Sequence, residues 1–213
     1  MRHLLVLTTL LALSACETVY YDTMEQFGVH KREILVDRIE EAQEAQEEGQ
    51  QQFKDALEQF QAVVNFDGGD LEVIYNRLDA EYEDSVDAAD TIRGRIDAVE
   101  DVAEDLFDEW TAELDQYSSA ALRRDSERQL NQTRRRYERL RDSMRNAERT
   151  IDPVLASLKD NVLYLKHNLN ARAIASLKGE LGTVNADVNA LINAMQKAID
   201  ESNAFIEQMK GGE

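Results

Sequence analysis

From Leu71 to Tyr117 an apolar or small residue returns every third or fourth position without a break. The run is Leu71, Tyr75, Leu78, Tyr82, Ser85, Ala89, Ile92, Ile96, Val99, Ala103, Leu106, Trp110, Leu114, Tyr117. Steps alternating between four and three hold one stripe on one side of an α-helix and keep it facing a partner helix. At ~1.5 Å per residue such a helix is about 70 Å long, roughly twice the width of a small domain. No compact globule can bury a stripe of that extent, so it must lie against other long helices. Composition agrees: the chain has one proline, Pro153, few glycines and an abundance of strong helix formers.

The same spacing runs through Leu35, Ile39, Ala42, Gln46, Gly49, Phe53, Ala56, Phe60 and Val63. Thr23 with Gln26 forms a capping box that starts this helix. Gln46 and Gly49 interrupt its stripe, and thin packing is expected there. Asn65-Phe66-Asp67-Gly68-Gly69-Asp70 ends it: a glycine takes the left-handed C-cap and Asp70 caps the next helix. Ser118 or Ser119 then caps a third helix through Leu130, Tyr137, Leu140, Met144, Ala147, Ile151, Val154 and Leu158. Pro153 either kinks that helix or opens a fresh one. The stripe continues through Val162, Leu165, Leu169, Ala173, Leu177 and onward to Ile206, and Asn170 can cap a fourth helix. The expected fold is all-α: an elongated antiparallel coiled-coil bundle of three to four long helices, with the four-helix form favoured by matched lengths.

The start of the chain points to export. Arg2, the apolar run from Leu4, and Leu13-Ser14-Ala15-Cys16 have the form of a lipoprotein signal, and Cys16 is the only cysteine. The organisation expected is a signal peptide over 1–15, a lipid-anchored linker over 16–22 and one helical domain over 23–213. Cys16 is the expected lipidation site by that resemblance, and Glu17 after it favours the outer membrane, facing the periplasm.

The net charge is −19, which opposes nucleic acid, whose binding depends on Lys and Arg displacing counterions from phosphates. The charge is also unevenly spread. Asp67 to Gln116 holds 18 acidic residues against three arginines, while Arg123 to Arg149 holds ten arginines against five acidic residues. Adjacent antiparallel helices two and three would attract along their flanks; Arg134-Arg135-Arg136 could instead bind an anion, but pairing with helix two is the favoured reading of the run.

Catalytic and metal motifs are absent from the sequence. Gly68-Gly69 and Gly179-x-x-Gly182 lack the lysine of a phosphate loop. His30 and His167 have no companions for zinc or a di-iron centre. The chain is therefore read as a non-enzyme without a cofactor or metal. Two places could serve as an interaction patch: Trp110, within Leu106-Phe107-Asp108-Glu109-Trp110, and the group Lys166, His167, Asn168 and Asn170. For each, a structural role (core packing, or a helix turn) competes with the binding role.

Four strings carry a resemblance. They are Gly28 to Arg38, Phe66 to Leu71, Leu106 to Trp110, and Val162-Leu163-Tyr164-Leu165-Lys166-His167-Asn168-Leu169-Asn170-Ala171. Together they resemble domain-of-unknown-function family 2959, a bacterial family of exported, coiled-coil-rich proteins. The resemblance implies an exported helical protein and brings no catalytic residues with it. Some members bear the label DNA repair ATPase, which this sequence, without a phosphate loop, does not support. The function expected is a structural, spacer or adaptor role at the cell envelope, attached to the membrane through Cys16 and partnered by an envelope protein. The alternative is a binding module that captures a cationic peptide, polyamine or divalent cation on its acidic surface.

Overall fold

Three turns and one helix break set the architecture. In the first turn Gly68 and Gly69 take positive φ (151° and 117°), a region closed to most side chains. Asp70 then accepts a hydrogen bond from the Glu72 N–H at 3.0 Å. At the last turn, Asn168 ends one helix and the Asn170 carboxamide oxygen accepts from the N–H groups of Arg172 and Ala173. The computed structural model describes residues 31–211. Cys16, the segments 1–15 and 16–22, and the helix start at Thr23 lie outside these residues.

Five helices follow: α1 Lys31–Val64, α2 Leu71–Glu113, α3 Ala120–Arg149, α4 Ile151–His167 and α5 Ala171–Lys210. A 3₁₀ turn, Leu114–Gln116, closes α2, and Ser119 caps α3 through its side chain. Since α3 and α4 are separated only at Thr150, they act as one arm of an antiparallel four-arm bundle. Among the described residues there is no strand. Contacts along the arms fix the order: α1 lies beside α2 and α5, and the α3–α4 arm lies beside α2 and α5.

Pro153 explains the break at Thr150. Its ring would collide with the carbonyl four residues back, that of Arg149, so a continuous helix is not available. Helix α4 instead starts at Ile151, which puts Pro153 in the first turn, where a missing N–H costs nothing. Thr150 closes α3 with both its N–H and its hydroxyl on the Ala147 carbonyl, at 3.1 and 2.6 Å.

The predicted stripes form the core. Leu35, Ile39, Phe53 and Phe60 of α1, Ile92 and Ile96 of α2, Leu140 and Met144 of α3, Leu158 and Leu165 of α4, and Leu191 of α5 are all fully buried. The expectation of thin packing at Gln46 and Gly49 is corrected. Both are buried, and a Cβ on Gly49 would sit 2.6 Å from Ile92 Cδ1, so the glycine admits a close approach of α2. Polarity was read as looseness there, whereas side-chain volume decides packing.

The charge argument holds at a few points. Arg145 donates to both carboxylate oxygens of Glu100, at 2.8 and 2.6 Å, and to Asp97 at 2.7 Å. That fork, chiefly through Glu100, raises the guanidinium pKa and keeps it charged. Arg93 of α2 reaches Asp152 at 2.6 Å, and Arg134 lies over the Phe107 ring at 5.2 Å. Arg128 and Arg141 instead pair within α3, with Asp125 and Asp142. Exposed pairs of this kind contribute roughly 0–1 kcal/mol each, so they set register while the stripe supplies stability.

Where α2, α3 and α5 meet, Tyr137 is packed between Phe107 and Phe205, with ring centroids 5.5 and 6.3 Å away. Burial, and then the charge of Glu100, push its hydroxyl pKa well above the ordinary 10.0. Above pH 10 the unfolded chain's tyrosine ionises while the folded one stays protonated, so stability falls as pH rises through that range. The expected result is a smaller alkaline loss of stability in Tyr137→Phe than in wild type, read from urea midpoints on either side of pH 10.

Candidate functional site

One end of the bundle carries the start of α1, the end of α2, the first half of α3 and the end of α5. A cavity of about 480 Å³ lies among them. Its apolar wall is Leu106 and Trp110 from α2 with Phe205 and Met209 from α5. Trp110 is the only tryptophan in the chain. The stripe places it on the core side of α2; in the fold it is half-buried on the cavity wall, its indole N–H donating to Ser126 Oγ at 2.8 Å.

Charged groups ring this wall. Lys31, although buried, pairs with Glu109 at 3.1 Å, and the Arg32 guanidinium donates to the Met209 carbonyl. Arg136 lines the cavity, half-buried, and makes no ion pair or hydrogen bond among the described residues. Glu113 supplies a second carboxylate. Three cations against two carboxylates make the lining net positive in a chain whose net charge is −19.

The other half of the sequence-predicted patch lies at the opposite end. Lys166 and His167 occupy the last turn of α4, where positive charge suits the helix C-terminus. Asn168 donates to the Tyr164 carbonyl at 2.9 Å, and Asn170 caps α5. These four residues build the α4–α5 turn, and they are separated from Trp110 by most of the bundle's length. Around them Leu163, Tyr164 and Leu169 are exposed. Lys159, Lys166, Arg172 and Lys178 make no ion pair among the described residues, but Asp67, Asp70 and Glu72 of the α1–α2 turn lie at the same end, with Asp160 and Glu180 nearby, so this tip is of mixed charge and partly apolar.

A smaller groove of about 320 Å³ lies between α2 and α3, lined by Glu100, Glu104, Asp108 and Glu138 with Arg134 and Arg141 among them. Its own guanidinium groups offset much of its charge. Among the described residues no group of three or more His, Cys, Asp or Glu side chains is placed to hold a metal ion. No described helix is long and apolar enough to cross a membrane.

A family model described as a protein of unknown function, DUF2959, matches residues 20–209. The chain belongs to this family. The match takes in all of α1 to α4 and nearly all of α5, so the DUF2959 region and the described bundle are one unit and hold both the cavity and the tip. Cys16 falls before the matched residues. No curated protein matches the chain.

Within this DUF2959 bundle, sequence reasoning found Trp110, with Leu106 and Glu109 in the same string, and the arginine run that holds Arg136, but not that they meet. Lys31, Phe205 and Met209 come from two other helices, and nothing in their local spacing sets them apart from ordinary stripe or flank positions. The one available signal was the antiparallel pairing itself, which brings the start of α1 to the ends of α2 and α5.

Proposed function

We propose that this DUF2959 protein is a lipid-anchored spacer or adaptor of the bacterial envelope, attached at Cys16 and facing the periplasm, with no catalytic role. The observation that carries the reading is the sequence Leu13-Ser14-Ala15-Cys16 at the end of an apolar run, shortly before a long helical bundle. Lys31, the first residue of α1, lies only fifteen positions after Cys16. The 34 residues of α1 then carry the chain about 50 Å to the other end at ~1.5 Å per residue. An anchor at Cys16 therefore holds one end of the rod near the bilayer and presents the mixed-charge, partly apolar tip at a distance. Glu17, next to the cysteine, favours the outer membrane.

Labelling cells with palmitate tests the anchor. Wild-type protein is expected to take up label and to sediment with outer-membrane vesicles, and Cys16→Ala is expected to lose both properties. An unlabelled wild type, or a Cys16→Ala variant that still fractionates with the membrane, overturns the reading.

A further inference from the structure

We infer that the cavity at the Lys31 end binds an anionic amphiphile, a molecule with a phosphate or carboxylate head on an acyl or aromatic body. The inference stands on the described helices and holds whether or not Cys16 carries a lipid.

Three features point to that chemistry. The volume, about 480 Å³, lies within the roughly 300–1,000 Å³ usual for small-molecule sites. Its wall is apolar and adaptable: Leu106, Trp110, Phe205 and the flexible thioether of Met209. Its charge is unbalanced at one group. Lys31 is already held by Glu109 and Arg32 by a backbone carbonyl, while Arg136 faces the cavity without a partner among the described residues. A guanidinium does not lose its proton, so it meets partial burial by finding an acceptor. Its planar fork suits the two oxygens of a carboxylate or phosphate.

The wall rules out a bare anion as the preferred ligand, since inorganic phosphate leaves Leu106, Trp110 and Met209 uncovered. The local charge rules out a cationic amphiphile: the lining carries three cations, and Glu113 is the one carboxylate not already held. The ligand that satisfies both parts has an anionic head at Arg136 and an apolar body against Trp110.

Trp110 makes the test direct, because every tryptophan photon from this chain comes from the cavity wall. Full-length Cys16→Ala protein is titrated with dodecyl phosphate below its micelle concentration. Inorganic phosphate and dodecyltrimethylammonium serve as controls for head without tail and tail with the opposite head. Phosphatidylglycerol vesicles form a separate arm, which distinguishes a free amphiphile from a lipid held in a bilayer. The expected result is a saturable change in Trp110 emission with dodecyl phosphate alone, and one bound equivalent by native mass spectrometry. Arg136→Gln is expected to weaken binding by about tenfold to a hundredfold, the worth of a charge-assisted hydrogen bond. Met209→Phe, which fills the cavity, is expected to abolish the bound equivalent in native spectra. Circular dichroism confirms that each variant is folded.

Several outcomes overturn the inference. They are an unresponsive Trp110, which means that the space is already filled by the chain itself, and an equal response to the cationic amphiphile. A response to vesicles without one to dodecyl phosphate, or undiminished binding in folded Arg136→Gln, does the same.

Discussion

Phe53→Ala is expected to destabilise the bundle by about 3–5 kcal/mol, whereas Leu169→Ala is expected to stay within about 0.5 kcal/mol of wild type. Both residues fall on an apolar stripe when the sequence is read by spacing alone. Phe53 is completely buried in the middle of α1, so its removal takes away the transfer free energy of an aromatic side chain and leaves a void. The neighbouring arms cannot easily collapse into that void, because each is held along its length by other layers of the same core. Leu169 is 41% exposed, in the turn between Asn168 and the Asn170 cap, and has little burial to lose. Urea unfolding of the two variants, with midpoints compared at equal slopes, measures the difference. A costly Leu169→Ala would mean that Leu169 is buried in solution and that the stripe runs on as one helix.

That pair of residues also shows what the sequence made legible. The end of α1 and the start of α2 are legible because Gly68, Gly69 and Asp70 have specific backbone reasons to be there. Asn170 was readable as a cap for the same reason, although the apolar register across Lys166 to Asn170 argued for continuation. Register is a statement about one helix face, and it survives a tight turn by coincidence. Ser119 and the stripe residues of α1, α3 and α5 fell where spacing put them.

Other features depended on distances that spacing does not contain. Pro153 forbade a continuous helix, but only the fold places the break at Thr150 and the ring in the first turn of α4. The arginine run suggested a zipper along α2, and Arg145 bears that out with Asp97 and Glu100. Arg128 and Arg141 found nearer acids on their own helix, and Arg136 was left facing a cavity. Side chains as long as arginine choose among all acids within reach, so net charge per helix predicts attraction without predicting partners. The cavity was out of reach for a related reason: Lys31, Leu106, Arg136 and Met209 are distant in sequence, and antiparallel packing alone brings them together.

The stretch around Gln46 carries the second large effect, this time stabilising. Gln46→Leu is expected to raise stability by about 1–3 kcal/mol. Gln46 is completely buried, and neither its carboxamide nitrogen nor its oxygen has a hydrogen-bond partner among the described residues. Exchanging the two atoms by a flip of the amide changes nothing, because both are unsatisfied. Leucine occupies a similar volume and leaves no polar group stranded, so the desolvation penalty is removed without opening a cavity. Gln46→Ala is the control: it removes the same polar atoms but creates a void, so it is expected to fall well below Gln46→Leu. Gln50, one turn later, also has an unpartnered side-chain nitrogen, which makes this the most polar layer of the α1 stripe. A polar residue at a stripe position fixes register where only the native alignment gives it a partner. Among the described residues Gln46 has none, so Gln46→Leu is expected to gain stability and to keep a single mass in light scattering. Register control then lies elsewhere, in the close fit of Gly49 against Ile92. A Gln46→Leu variant less stable than wild type would mean that the amide is satisfied in the folded protein, and that the layer is a polar network instead of a penalty.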